Sequence, residues 1–303
     1  MLADETAGDP MTGLKWTRRT LRGLARKLKR RGFTVSRGTV HRLLSVLEYA
    51  QRVNRKRLGR GRDPERDRQM RHIQRQRRAF LKANRPVISV DTKKKELVGN
   101  FRNAGRSWRQ TPWDVLATDF ASDAQGKAIP YGIYDVRYNA GYVVVGTSHE
   151  TAQFAVSAIR RWWRKIGQRT YPGASHLLIE ADGGGANGSR NWLWKVELQK
   201  LADDYRLTIT VSHLPPHASK WNLADHRLFC HISRNWAGRP LRSYEVVLKF
   251  IRTTTTATGL RCRAWLDRAE YQVGVKPTAE EKAKIRIKRH RTLPKWNYTI
   301  RPH

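Results

Sequence analysis

The 303-residue chain is poor in cysteine, methionine and acid, with two Cys, three Met and 25 Asp plus Glu. Cys230 and Cys262 stand far apart and form neither a disulfide framework nor a zinc knuckle. That usage fits a reducing compartment, and the cytoplasm is the expected location. No run approaches the roughly 18 consecutive apolar residues of a membrane span. The start, MLADETAGDP, has neither the basic segment nor the apolar segment of a signal peptide. Membrane insertion and Sec export are therefore excluded as expectations. No repeat period is visible, and no low-complexity tract is longer than the TTTT at 253–256, so a solenoid is not indicated.

What the chain has in excess is positive charge. Sixty-one Lys and Arg give a formal net charge of +36, too much to leave without a polyanionic partner, and nucleic acid is the commonest one of that size. Metabolite-sized acids are disfavoured. With 39% hydrophobic residues and 11 Trp the chain can still fill a core. Residues 1–86 hold 25 Lys and Arg against 7 acids, while the rest of the chain is better balanced. The asymmetry predicts a basic, DNA-engaging front end and a separate globular part beginning near Pro86.

In the front end, Leu21, Leu24, Ala25 and Leu28 share one helical face, with Thr17 as the expected cap and Gly32 as the stop. Ser36 opens a second helix with Val40, Leu43, Leu44 and Leu47 at the same spacing. Its other face carries Arg37, Thr39, His41 and Arg42, residue types that read base edges. Two such helices joined by a short turn form a helix-turn-helix pattern. The following run, QRVNRKRLGRGR, is dense in cations and lacks periodicity, so Arg55, Lys56 and Arg57 are expected in an arm that grips phosphates. Asp63 and Pro64 look like the start of a linker helix. The expected domains are thus 1–62, a linker at 63–86, and 87–303.

From residue 87, strand and helix patterns follow in the order β, β, β, α, β, α, β, α. This is an α/β arrangement matching a ribonuclease-H-like core, whose first and fourth strands lie side by side. Asp91 ends the first strand, Asp182 the fourth, and Asp225 sits on the last long helix. Carboxylates in those places can converge on two Mg²⁺ ions about 3.5 to 4 Å apart, the arrangement that favours in-line phosphodiester displacement. Asn222, one helical turn before Asp225, is a candidate to support that shell, as are His226 beside Asp225 and Glu180, two residues before Asp182. Lys93, Lys94, Lys95 and Lys220 are candidates to hold DNA phosphates nearby. Gly183, Gly185 and Gly188 imitate a dinucleotide fingerprint, but no acid ends the next strand and no P-loop lysine is present, so the glycines are read as a sharp turn beside Asp182.

The strings PVISVDTKKKELVGNFRNAGRSW, LLIEADGGGANG, PPHASKWNLADHRLF and PKWNYTIRP resemble the Rhodopirellula-type DDE transposases of bacterial insertion sequences. The resemblance implies a Mg²⁺-dependent enzyme, with Mn²⁺ able to substitute, that nicks element ends in double-stranded DNA and joins the 3′ hydroxyl to target DNA. It implies catalytic and metal-binding roles for Asp91, Asp182 and Asp225, assembly of more than one copy on DNA, and association with the nucleoid. The family pattern has glutamate where Asp225 stands, one methylene longer. It also has a further N-terminal helix-turn-helix, so the chain reads as a shortened copy. The competing reading is a catalytically impaired derivative that occupies element ends as a DNA-binding inhibitor.

Overall fold

The computed structural model describes residues 7–8, 15–16, 20–50 and 65–303. Arg55, Lys56, Arg57, Asp63 and Pro64 lie outside the described residues. The chain divides into two compact units, Met1–Gly59 and Arg60–His303. Among the described residues, no helix is long and apolar enough to cross a membrane.

The smaller unit pairs two short strands, β1 (Ala7–Gly8) and β2 (Lys15–Trp16), and continues into α1 (Leu21–Arg30) and α2 (Arg37–Val46). Thr20 caps α1, its hydroxyl accepting from the Gly23 N–H at 3.1 Å; the cap expected at Thr17 lies three residues too early. A hydroxyl must sit immediately before the first turn to reach its free N–H groups. Ser36 caps α2 by accepting from the Thr39 N–H at 3.1 Å. Leu24 and Val40 are buried where α1 and α2 meet, whereas Leu43 and Leu47 are exposed, so the apolar stripe of α2 is only partly covered.

In the larger unit, α3 (Arg66–Lys82) packs on the sheet through Phe80 against Val87 and Leu178, and Ile73 packs against Leu214 and Ala218. The helix expected to link two domains is therefore part of the larger one. Its hydrophobic spacing was legible; which body that face would meet was not.

The large sheet has the order β10-β11-β8-β7-β3-β5-β6-β9, with β4 paired to β5. Its strands are β3 (Val87–Thr92), β4 (Glu96–Val98), β5 (Gly126–Asp135), β6 (Ala140–Gly146), β7 (His176–Ala181), β8 (Thr208–His213), β9 (Arg261–Asp267), β10 (Ile287–Arg289) and β11 (Asn297–Ile300). The first long strand, β3, lies parallel to β7 and antiparallel to β5, and β7 lies parallel to β8. This is the ribonuclease-H-like topology, extended by β9, β10 and β11 beyond the strands legible in the sequence.

One face of the sheet is covered by α4 (Ala152–Trp162) and α6 (Trp192–Tyr205). Trp162 and Trp163 are both buried there. After α4, a π-helical stretch (Trp163–Gly167) and the short α5 (Gln168–Thr170) lead to β7. On the other face, a π-helical turn (Asp225–Phe229) runs into α7 (Cys230–Asn235), with α8 (Tyr244–Arg252) alongside; α9 (Ala279–Ala283) precedes β10. The long helix expected around Asp225 starts only after Asn222: a 3₁₀ turn (Ser219–Trp221) stands before it, and its first turns hold the π stretch that runs into α7. Glycine permits its close approach to the sheet. A Cβ on Gly132 would lie 2.5 Å from the Phe229 ring and 3.1 Å from Leu228, and one on Gly141 would collide with Leu228 as well.

Candidate active site

Asp91 and Asp182 are neighbours because β3 and β7 are parallel and in register: Val90 pairs with Ala181, so the two aspartates follow at the same level. Asp91 lies opposite Gly132, on the face that the π turn approaches. That turn begins with Asp225, and all three aspartates line one cavity of about 720 Å³ together with Asn222 and the Gly183–Gly185 loop.

Asn222 is buried and fixes Asp91, donating from Nδ2 to Oδ2 at 2.6 Å, while the Thr92 N–H donates to the other carboxylate oxygen at 2.7 Å. The Asn222 carbonyl is held in turn by the Ala224 N–H at 3.1 Å. Its orientation is therefore set by the backbone that leads into the π turn. Burial pushes the Asp91 carboxyl up to about 7, reinforced by the neighbouring charge of Asp182 and, less, by Asp225; the bonds from Thr92 and Asn222 oppose the shift. Asp182 is also raised, first by burial and then by Glu150, against stabilising hydrogen bonds from the Gly184 N–H and Asn187. Two crowded carboxylates that resist ionising are a natural receptor for a cation, because a positive ion removes the repulsion between them.

Asp225 is less closely engaged. Its side chain is 50% exposed and lies 3.8 Å from His226 Nε2. Among the described residues, no three His, Cys, Asp or Glu side chains are near enough to hold a metal ion together. The Asp91–Asp182 pair matches a hard divalent ion in donor type, and the more exposed Asp225 lines the same cavity. Asp225 thus stands off from the pair, on a π turn, a helix form that recurs at functional sites.

The other expected residues separate. Glu180 points toward α3 and forms a paired hydrogen bond with Arg77, at 2.8 and 2.6 Å, 2% exposed and away from the cavity. Lys93 is tied to Glu96 at 2.5 Å and lies over the Trp236 ring; Lys95 pairs with Glu150 at 3.3 Å. Lys94 is exposed, and Lys220 lies over the Trp221 ring. In the smaller unit, Arg37, His41 and Arg42 are exposed on α2, and Thr39 is half-buried against Ser36.

Asn187 and Glu150 join the site without a role expected from the sequence, whereas His213 is near it in sequence and fits a hydrogen-bonded structural histidine. Asn187 reaches Asp182 from within the glycine-rich loop and is itself fixed by the buried Tyr131 hydroxyl, which donates to its Oδ1 at 2.8 Å. His213 is buried, its Nδ1 3.0 Å from the Asp182 carbonyl and its Nε2 3.1 Å from the Tyr298 hydroxyl. Glu150 is a fourth acid whose charge reaches Asp182. Local spacing assigns no role to Glu150, and the position of Asn187 inside GGGANG is its one signal.

The Rhodopirellula transposase DDE domain family matches residues 1–302. The chain belongs to that family. No curated protein matches the sequence. Among solved structures, the Mos1 transposase paired-end complex with left transposon end is similar at 17% identity and a TM-score of 0.46, covering 77% of this chain and 65% of that one. The Mos1 strand transfer complex gives 16%, 0.45, 77% and 64%, respectively. The chain thus spans a little under two thirds of the Mos1 protein's length.

Proposed function

We propose that the chain is a divalent-metal-dependent DNA transposase that nicks the ends of an insertion sequence and joins the freed 3′ hydroxyl to target DNA. The observation that carries this reading is the meeting of Asp91, Asp182 and Asp225 at one cavity, with Asp91 raised to about 7 by burial and by its neighbour's charge. Family membership supports the substrate class.

Asp91, Asp182 and Asp225 would hold Mg²⁺, or Mn²⁺ in its place. Bound there, the ions supply activation of the attacking oxygen and neutralisation of charge on the leaving oxygen. The chain's own residues do the positioning. Asn222 and the Thr92 N–H hold the Asp91 carboxylate, and Asn187 and the Gly184 N–H hold that of Asp182. His213 and Tyr298 brace the Asp182 main chain from beneath. The Gly183–Gly185 loop leaves backbone rather than side chain at the cavity wall, room that a sugar-phosphate strand needs. No covalent intermediate with the protein is required, since water or a 3′ hydroxyl is the nucleophile. Arg37, Thr39, His41 and Arg42 on α2 would contact the element ends, and Lys94 and Lys220 the phosphates near the cavity. More than one copy would act on paired ends.

The test is incubation of purified chain with Mg²⁺ or Mn²⁺ and duplexes bearing the element's terminal inverted repeats. The expected result is metal-dependent nicking at the 3′ end, lost in Asp182→Asn. Tight, salt-sensitive binding with no nick would instead identify the chain as a DNA-binding inhibitor, consistent with the stand-off of Asp225.

A further inference from the structure

The second cavity of the larger unit, about 630 Å³, is lined by cations and hydroxyls and contains no carboxylate. It lies between α3 and the β10–β11 hairpin. Its floor is the polar side of the sheet at that edge, where Thr208 and Thr299 face outward while their neighbours Ile209 and Tyr298 are in the core. His72 stands on the α3 wall, and Lys288, Arg291 and Arg301 stand on the hairpin side. The carboxylate cavity is at the other end of the same strands: His176 and Thr208 begin β7 and β8, whereas Asp182 and Leu214 follow their last residues. Six residues of strand separate the two by about 20 Å.

We propose that this groove seats phosphates of a DNA backbone, as a contact separate from the carboxylate cavity. The inference rests on the chain acting on DNA. A sheet face left without an apolar cover, floored by hydroxyls and walled by cations, offers hydrogen-bond donors and positive charge to the oxygens of a phosphodiester and little to a base or an apolar ligand. Among the described residues, Lys288, Arg291 and Arg301 form no ion pair, so their charge is not neutralised within the fold. The histidines register the same field. His72 and His290 stand 3.4 Å apart, ring nitrogen to ring nitrogen, and His290 Nε2 is 2.8 Å from the Thr299 hydroxyl. Both are shifted down, first by burial and then by nearby positive charge: His290 and Arg75 around His72, and Lys288 beside His290. An anion in the groove would relieve that field.

The experiment is fluorescence anisotropy of the full chain on a short labelled duplex across a KCl series. Arg291→Ala/Arg301→Ala is compared with Arg169→Ala/Lys276→Ala, which removes equal charge from exposed positions outside both cavities. The groove pair is expected to weaken binding about tenfold and to lower the slope of log Kd against log [KCl] by about 2, while the outer pair changes affinity less than about twofold. Equal effects of the two pairs would overturn the proposal. If the wild-type chain binds no duplex, the DNA reading itself fails and this one with it, an outcome distinct from binding that ignores the groove pair. A readout independent of variants is the ring resonances of His72 and His290 in the wild-type chain, which should move on adding duplex. Unmoved resonances would also overturn it.

Discussion

At the residue scale, the site stores a conflict that the fold tolerates. Asp91 is held ionisable but unwilling, with its carboxyl at about 7 against an ordinary value of 3.8. A carboxyl raised in this way favours the folded state while protonated, so its contribution is best below the unfolded value and is lost as pH rises from about 4 through 7. Without metal, Asp91→Asn should therefore be more stable than wild type at pH 8, on the order of 2 to 4 kcal/mol, and inactive in nicking. Thermal or denaturant unfolding checks this, and an unchanged or lower stability would mean that burial and the charge of Asp182 do not strain the ionised Asp91. Asn222→Ala removes the donor that offsets this strain. It should reduce nicking while leaving duplex binding intact, since Asn222 acts on the position of Asp91; loss of binding in proportion would contradict that role.

At the element scale, α3 and the π turn show where sequence periodicity stops informing. The spacing of Met70, Ile73 and Phe80 fits the apolar face by which α3 packs on the sheet, but polar contacts that no spacing shows tie it there as well: Arg77 with Glu180, and Gln69 with Asn297 at 2.9 Å and with the His213 carbonyl at 2.8 Å. Glu180 shares strand parity with Asp182 and on that basis looks like part of the site. It is consumed instead by a helix more than 100 positions away in sequence, a pairing that no local pattern encodes. Removing the arginine leaves a buried, uncompensated carboxylate. Arg77→Ala is expected to cost about 3 to 5 kcal/mol, with Arg77→Met/Glu180→Leu recovering much of it; urea unfolding of both variants decides. On α2, where Arg42 is exposed and has no packing role in view, Arg42→Ala should weaken duplex binding by about 1 to 3 kcal/mol and leave the melting temperature unchanged. Equal affinity would count against α2 as the reading element.

At the scale of the whole molecule, the central sheet was legible because β3, β6 and β8 are rich in β-branched residues, β7 is a short apolar run, and Asp91 and Asp182 stand at strand ends. Asp91 and Asp182 could be placed together from strand order alone, since parallel neighbours bring their C-terminal ends level. The β9, β10 and β11 additions were not legible: β10 and β11 are short, and β9, Arg261–Asp267, mixes charged with apolar residues. Nor could the half-exposed stance of Asp225 be foreseen, because nothing in its pattern marks the π stretch within the helix that carries it. These late additions shape pH behaviour. His72 and His213 are both lowered to about 4 by burial, His72 with help from His290 and Arg75. A histidine depressed in the folded state contributes stability that is complete above about 6.5 and is lost as pH falls toward 4. The metal-free chain should accordingly lose stability across that interval through these groups, and His72→Gln should flatten the loss; an identical pH profile would place the acid sensitivity elsewhere.

The central claim is that carboxylates brought together by β3, β7 and the π turn take up divalent ions. It is tested most directly by titrating Mn²⁺ into the full chain bound to cognate duplex and reading ion uptake calorimetrically, beside Asp91→Asn and Asp182→Asn. The account predicts saturable uptake by the wild-type chain that either substitution abolishes. No uptake by the wild-type complex, or equal uptake by all three proteins, would contradict it.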